Sequence, residues 1–267
     1  MIVILYAVIA VTAIGLLCAV MLVVAATLFG VKEDEKFTAI REVLPGANCG
    51  ACGYTGCDNY AKALANDPDV KTNLCIPGGD SCAAKIADVL GVEAADVIEM
   101  ISLVHCNGSC DNAPKVASFE GSGTCKAAKQ VFGGPSACNF GCLGLGDCVV
   151  ACQYDAIHLV DGVAKVDPTR CTGCTLCAKA CPNSIITMVD ATKTVAVLCS
   201  NKEKGAVARK QCKVPCIGCM KCQKACPHDA IHVENNLARI DYDKCTSCGE
   251  CAKVCPTGCI KDRNSNE

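Results

Sequence analysis

The chain begins with an apolar stretch much longer than any later one. Residues 1–31 contain no charged side chain, and that length allows a helix to cross a bilayer with some tilt. No basic residue precedes the stretch, which is also longer than the apolar core of a cleaved signal peptide. The pattern therefore predicts an uncleaved transmembrane anchor in contact with the lipid bilayer.

Beyond the anchor, apolar and polar positions alternate in short segments. Helical spacing predicts three short helices, over residues 35–44, 58–66 and 81–90. The apolar segment 97–104 fits either a strand or a buried helix. Segments 157–166 and 231–240 predict short strands, and we expect one-turn helices after each cysteine run.

The second half of the chain contains a 74-residue repeat. The repeat joins Cys125, Cys138, Cys142, Cys148, Cys152, Cys171, Cys174, Cys177 and Cys181 with Cys199, Cys212, Cys216, Cys222, Cys226, Cys245, Cys248, Cys251 and Cys255. The tetrapeptide that begins at Asp155 recurs unchanged at Asp229. A duplicated cysteine pattern predicts two equivalent cofactor-binding modules.

The 28 cysteines among 267 residues fit a disulfide scaffold, structural zinc or iron–sulfur clusters. Their spacing decides between these alternatives. The pattern Cys-x2-Cys-x2-Cys-x3-Cys-Pro begins at Cys171, Cys216 and Cys245. It is typical of bacterial ferredoxins, whereas zinc sites usually combine two distant cysteine pairs. The spacing predicts [4Fe-4S] clusters.

One run departs from this pattern. It consists of Cys138, Cys142, Cys148 and Cys152 at spacings x3, x5 and x3. Leu145 stands where a middle cysteine is expected, and Gln153 replaces the proline. Cys138 can supply the missing thiolate, which leaves its counterpart Cys212 surplus; this choice of ligand stays open.

In such runs the fourth cysteine ligates the other cluster of the pair. The rule predicts two clusters in the first module, one on Cys138, Cys142, Cys148 and Cys181 and one on Cys152, Cys171, Cys174 and Cys177. It predicts two in the second module, one on Cys216, Cys219, Cys222 and Cys255 and one on Cys226, Cys245, Cys248 and Cys251.

An upstream cysteine group predicts a fifth cluster, with zinc as the alternative. It comprises Cys49, Cys52, Cys57 and Cys75, among glycines that let the backbone approach a cube. A sixth cluster on four of Cys106, Cys110, Cys125, Cys199 and Cys212 stays open, because these cysteines also fit small buried hydrophobic residues. The hydrophobic interpretation is favoured for Cys18, Cys82 and Cys259.

Charge and motifs exclude several functions. The net charge is −2 and the basic residues are dispersed, so we predict no nucleic-acid partner. The sequence contains no dinucleotide fingerprint, phosphate-binding loop or catalytic nucleophile motif, so substrate chemistry is expected on another protein. His105, His158, His228 and His232 lack metal-pair spacing; His158 and His232 are predicted to pack.

Basic residues follow the anchor and none precedes it. Lys32, Lys36 and Arg41 therefore predict a single-pass protein of the cell membrane with a cytoplasmic C-terminal part. A reducing compartment also suits free thiols. Only 4% of residues are aromatic and none is tryptophan, so clusters are expected to replace part of the core and the apo chain is expected not to fold properly.

These elements predict an α+β fold with an N-terminal transmembrane helix, a small helical [4Fe-4S] domain and two tandem bacterial-ferredoxin-like 2[4Fe-4S] modules. The expected limits are 1–31 for the anchor, 32–82 for the [4Fe-4S] domain, 83–134 for a connecting domain, 135–198 and 199–262 for the modules, and 263–267 for a polar tail.

The order of these parts resembles a known family. An apolar anchor leads into LPGANCGACGYTGCDNYAKAL, CIPGG at Cys75, CNFGCLGLGDCVVAC and the two ferredoxin modules. The whole chain resembles the B subunit of the Rnf complex, in its many-cluster clostridial type. The resemblance implies transfer of electrons from reduced ferredoxin towards membrane and flavin-bearing subunits, with NAD reduction coupled to Na⁺ or H⁺ export.

Two other functions compete with this one. An iron–sulfur subunit of another membrane reductase or hydrogenase fits the ferredoxin modules equally well, but it fits the Cys49–Cys75 group beside the anchor less well. A cluster-loss sensor needs one labile cluster and an output domain, and no output domain is visible. We therefore expect an electron relay with five or six clusters.

Overall fold

The apolar N-terminus forms one long helix. The computed structural model describes residues 2–29 and 35–263, beginning with α1 (Ile2–Phe29). Its segment Ile4–Ala25 is long and apolar enough to cross a membrane, and no part of it is buried against the rest of the protein. Lys32, part of the predicted orientation signal, lies outside the described residues.

A small helical domain follows. It consists of α2 (Glu35–Val43), α3 (Cys57–Asn66) and α4 (Gly79–Leu90), which agree with the three predicted helices. Ile40, Tyr60 and Ile86 form its core and are almost fully buried. The Tyr60 hydroxyl donates to the Lys71 carbonyl at 2.7 Å and accepts from the Leu74 amide at 3.3 Å. Tyr60 thereby attaches the segment before Cys75 to α3.

The rest of the described chain contains four two-stranded antiparallel sheets. The pairs are β1 (Met100–Val104) with β4 (Ile186–Asp190), β2 (Ile157–Val160) with β3 (Val163–Val166), β5 (Val195–Val197) with β8 (Ile260–Asp262), and β6 (Ile231–Glu234) with β7 (Leu237–Ile240). The two hairpins agree with the strands predicted around 157–166 and 231–240. The segment 97–104 is a strand rather than a helix.

Two strand pairs join segments that the sequence assigned to different domains. β1 lies in the predicted connecting domain 83–134, yet it pairs with β4 of the first module. β5 lies within the predicted first module, yet it pairs with β8 of the second. Each module therefore begins with an outer strand that precedes its first cysteine run, because its last strand needs an antiparallel partner.

The short helices lie within the cysteine runs rather than after them. α6 (Asp147–Val150), α7 (Leu176–Ala180), α9 (Lys221–Ala225) and α10 (Glu250–Lys253) each contain the third cysteine of a run. The other two are α5 (Cys125–Phe132) and α8 (Gly205–Gln211). Thr175 and Met220, which precede α7 and α9, adopt left-handed backbone conformations that turn the loop back on itself.

One histidine, His105, is buried, whereas His158 and His232 are partly exposed. His105 is buried after β1, where its ring nitrogens lie 2.8 Å from the Val197 carbonyl and 2.8 Å from the Thr187 hydroxyl. It thus joins the first module to the first strand of the second, and burial lowers its pKa. The side chains of His158 and His232, predicted to pack, are instead 49% and 38% exposed.

Candidate iron-sulfur sites

The cysteine side chains converge on six places, which we number from the N-terminal domain onward. All 28 cysteines are free. Among the described residues, no three Cys, His, Asp or Glu side chains come close enough to hold a single metal ion. A zinc ion would need such proximity, whereas a cube holds its thiolates at four separate corners.

The six sites use 24 of these cysteines. Their members are Cys49, Cys52, Cys57 and Cys75 at site 1; Cys152, Cys171, Cys174 and Cys177 at site 2; Cys125, Cys142, Cys148 and Cys181 at site 3; Cys106, Cys138, Cys199 and Cys212 at site 4; Cys216, Cys219, Cys222 and Cys255 at site 5; and Cys226, Cys245, Cys248 and Cys251 at site 6.

Site 1 is built on the loop before α3. The Cys57 amide donates to the Asn48 side-chain oxygen at 2.8 Å, which closes the loop that carries Cys49 and Cys52. Burial raises the pKa of Cys52, and the nearby thiols of Cys75 and Cys49 raise it further. Cys82, predicted as a buried hydrophobic residue, is buried and hydrogen-bonds Cys75.

Site 2 is organised by Ser102 of β1. The Ser102 amide donates to the Cys171 sulfur at 3.3 Å, and its hydroxyl lies 3.1 Å from the Cys177 sulfur. Burial raises the pKa of Cys174, with neighbouring Cys49 and Cys152 adding to the effect. The four cysteines are the set predicted from the pairing rule.

Site 3 contains Cys125 in place of the predicted Cys138. Leu145 leaves one position of the run without a thiol, and the first residue of α5 fills it. The Cys125 amide donates to one Asp147 carboxylate oxygen at 2.8 Å, and the Lys126 amide donates to the other at 3.0 Å. Asp147 begins α6, which carries Cys148, so these bonds hold α5 beside the run.

Site 4 lies between the modules and receives Cys138 instead. Its cavity is also lined by Cys106, Cys199 and Cys212. Burial raises the pKa of Cys106 to about 12 and that of Cys199 to about 11. The Asn201 side-chain amide donates to the Cys138 sulfur at 3.5 Å.

Site 4 consists of two pairs of equivalent cysteines, Cys106 with Cys199 and Cys138 with Cys212. The 74-residue repeat identifies only the second pair. Cys106 and Cys199 follow the first strands of their modules; their sulfurs accept the amides of Cys142 and Cys216 at 3.3 and 3.2 Å. Those amides are themselves repeat equivalents. The counterpart of Cys199 is therefore Cys106, although the 74-residue displacement places Cys125 there.

Cys110 lies away from site 4. Its side chain is exposed and its amide donates to the Asp161 carbonyl at 2.8 Å, at the turn between β2 and β3. Of the five cysteines considered for a sixth cluster, the structure brings Cys106, Cys199 and Cys212 together with Cys138 and places Cys125 at site 3.

Sites 5 and 6 bring together the sets predicted for the second module. Cys219 of site 5 and Cys248 of site 6 are exposed. Cys259 also lines the cavity of site 5. Its hydrogen bonds lower the pKa of Cys255 to about 4 and that of Cys216 to about 6.

The chemistry of the buried thiols fits a cationic iron core. Burial raises the pKa of Cys148 to about 12 and those of Cys222 and Cys251 to about 11, and nearby thiols raise each further. Four thiolates so close together need positive charge, which iron supplies. Gly141 has no side chain to crowd the thiols of site 4. A Cβ there would lie 3.3 Å from the Cys106 sulfur and 3.7 Å from the Cys138 sulfur.

Neighbouring sites lie near one another in a single series. Between sites 1 and 2, the nearby Cys49 thiol raises the pKa of Cys174, and the Lys179 ammonium donates to the Cys49 carbonyl at 2.5 Å. Between sites 2 and 3, the nearby Cys177 thiol raises the pKa of Cys148. Between sites 5 and 6, the nearby Cys222 thiol raises the pKa of Cys251. Site 4 contacts both site 3 and site 5 through the two amide–sulfur bonds described above.

Family comparisons find iron–sulfur regions in the N-terminal domain and in the second half of the chain. Residues 170–231 and 215–259 each match a family described as a 4Fe-4S dicluster domain, and residues 44–77 match one described as a putative Fe-S cluster. The last match covers site 1. The match over 170–231 crosses from the first structural module into the second, because the cysteine runs on either side follow one pattern.

Three curated proteins align over most of the chain. The B subunit of the Na(+)-translocating ferredoxin:NAD(+) oxidoreductase complex of Acetobacterium woodii is 44% identical over 92% of this chain and 74% of its own length. The B subunit of the proton-translocating complex of Clostridium ljungdahlii is 39% identical over 88% of this chain and 83% of its own. The B subunit of the ion-translocating oxidoreductase complex of Methanosarcina acetivorans is 37% identical over 87% and 88%, respectively.

Proposed function

The chain belongs to the B-subunit family of ion-translocating ferredoxin:NAD(+) oxidoreductase complexes, and we propose that it is a six-cluster relay within such a complex. Its role as an iron–sulfur electron-relay subunit follows from family membership and from the dicluster domains. When bound, a [4Fe-4S] cube supplies a one-electron carrier. The proposal adds the number of cubes, their ligands and their order.

The proximity of consecutive sites, from site 1 to site 6, carries this proposal. Without site 4, the two modules would hold two separate cluster pairs. With it, Cys106 and Cys138 of the first module face Cys199 and Cys212 of the second across one cavity. The ligand sets are those given for sites 1 to 6, with Cys125 at site 3 and Cys138 at site 4.

Reduced ferredoxin is the proposed electron donor, and it docks on the second module. Cys219 and Cys248 are exposed there, so sites 5 and 6 lie near the surface. Residues 199–262 contain 11 basic and 7 acidic residues, although acidic residues outnumber basic ones in the whole chain. A basic surface attracts an acidic protein donor and steers its approach.

The opposite end of the series lies beside the anchor. Site 1 follows α2, the first described element after α1. Electrons therefore pass from site 6 through sites 5, 4, 3 and 2 to site 1, and from there to flavin-bearing membrane subunits. The large C-terminal part faces the cytoplasm, where ferredoxin and NAD are found. The relatives include both Na⁺- and proton-translocating complexes, so the chain is not assigned one ion.

Iron and acid-labile sulfide analysis tests the cluster number. Anaerobically purified full-length chain is expected to contain about 24 atoms of each, four for every cube. Dithionite reduction should give the magnetically coupled EPR signals of neighbouring cubes. A content near twenty would remove site 4 from the relay, and stoichiometric zinc would overturn the relay itself.

Removal of residues 1–31 tests the anchor. We expect the shortened chain to be soluble and brown, with iron content unchanged per chain, because the segment Ile4–Ala25 of α1 is not buried against the rest of the protein. Fractionation of cells that lack the other subunits is the measurement. The full-length chain should sediment with membranes under the same conditions; sedimentation of the shortened chain would contradict the anchor assignment.

A further inference from the structure

Site 5 has a fifth cysteine that the cluster does not need. Cys259 is only 2% exposed, and its sulfur lies 3.7 Å from the Cys255 sulfur. Cys259 and Cys216 line the same cavity. The Cys259 carbonyl accepts the Leu198 amide at 2.7 Å, which holds the residue at the start of β8.

The first module provides a natural comparison for this position. Its repeat equivalent is Ile185, which lines the cavity of site 3 and is also buried. The Ile185 carbonyl accepts the His105 amide at 2.7 Å, in the same place relative to the outer strand pair. The two modules therefore hold the same backbone position and differ in its side chain, a thiol in one and a hydrocarbon in the other.

The direction of the hydrogen bond follows from ligation. Cys216 and Cys255 are thiolates when they hold iron, so they carry no proton to donate. Only the Cys259 thiol can donate, and the Cys255 thiolate lies within its reach. Hydrogen bonds to ligand sulfurs stabilise the more negative, reduced form of a cluster and so raise its reduction potential.

We propose that Cys259 is a potential-tuning residue, whose thiol donates to the Cys255 thiolate and raises the midpoint potential of the site 5 cluster. This inference rests on the proposed function in that it requires a cube at site 5. The thiol keeps its proton in both oxidation states, and the cluster gains or loses one electron. A higher potential at site 5 favours electron movement inward from site 6.

Potentiometric EPR titration of the full-length protein tests this role. The site 5 component is identified as the one that a Cys219→Ser variant loses. Cys259→Ile introduces the residue of the first module and should shift that component to lower potential with no loss of iron. Cys259→Ser keeps a donor and should restore most of the shift.

A reciprocal variant provides the matched control. Ile185→Cys introduces a thiol beside site 3 and should raise the potential of that cluster while site 5 is unchanged. An unshifted midpoint in Cys259→Ile would overturn the proposal, as would loss of about four iron atoms, since that loss would make Cys259 a ligand or a packing residue. Absence of a cluster at site 5 in the unaltered protein would instead refute the proposed function.

Discussion

Replacing Cys199 with alanine is expected to separate the two halves of the relay. Cys199 belongs to the four-cysteine set proposed for site 4, and its sulfur accepts the amide of the site 5 cysteine Cys216 at 3.2 Å. Removal of one thiolate should cost the cube at site 4, about four iron atoms per chain. Ferredoxin-dependent NAD reduction by membranes should then fall at least about tenfold.

The location of the block distinguishes this outcome from general damage. With reduced ferredoxin as donor, rapid-freeze EPR of the Cys199→Ala variant should show reduced clusters at sites 5 and 6 and oxidised ones at sites 1 to 3. Cys110→Ala is the matched control, because Cys110 is exposed and outside the six sites; it should keep its iron and its activity. Full NAD reduction by the Cys199 variant would show that electrons bypass site 4.

The ferredoxin modules were the most predictable part of this protein. Three runs of one spacing identified the cofactor type, and the fourth-cysteine rule brought together the sets at sites 2, 5 and 6. The reason is local. Ligation of a cube needs a tight loop of definite length, so the cysteines of a run occur at a fixed spacing in the sequence. Strands β2, β3, β6 and β7 were predictable because each is a short and mostly apolar segment, and only two residues separate the strands of each pair.

Sites 3 and 4 were harder to predict because they depend on contacts between distant segments. Cys125 precedes Cys138 by 13 residues, the same separation as between Cys199 and Cys212. That coincidence aligned Cys125 with Cys199. In the structure, α5 lies between Cys106 and Cys138, and Cys106 is identified as the counterpart by its position after β1 and by its bond with the Cys142 amide.

The outer strands show the same limit of sequence reasoning. β5 has three residues, and β1 lies more than 80 residues before its partner β4. Neither strand carries a turn signal that connects it to its module. Pairing of their backbone groups with the last strand of each module defines where the modules begin, and such long-range pairing leaves little trace in local spacing.

Cys125 lines the cavity of site 3, where Leu145 stands in place of the middle cysteine of the run. Cys125→Ala should remove the site 3 cube and about four iron atoms, because Leu145 supplies no thiol in the run. Ferredoxin-dependent NAD reduction should fall by at least about tenfold, since sites 2 and 4 contact each other through site 3.

A compensating change makes this prediction specific. Leu145 is the repeat equivalent of Cys219, and Gly144 before it has φ +70°, close to the +65° of its counterpart Gly218. The loop is thus already shaped for a cysteine, so Cys125→Ala combined with Leu145→Cys should recover the iron and most of the activity. Recovery by this pair, measured against Cys125→Ala alone, would assign the lost cube to site 3. If Cys138→Ala abolished the site 3 signal and Cys125→Ala did not, the simple pairing with Cys138 would be correct and α5 would only pack beside the run.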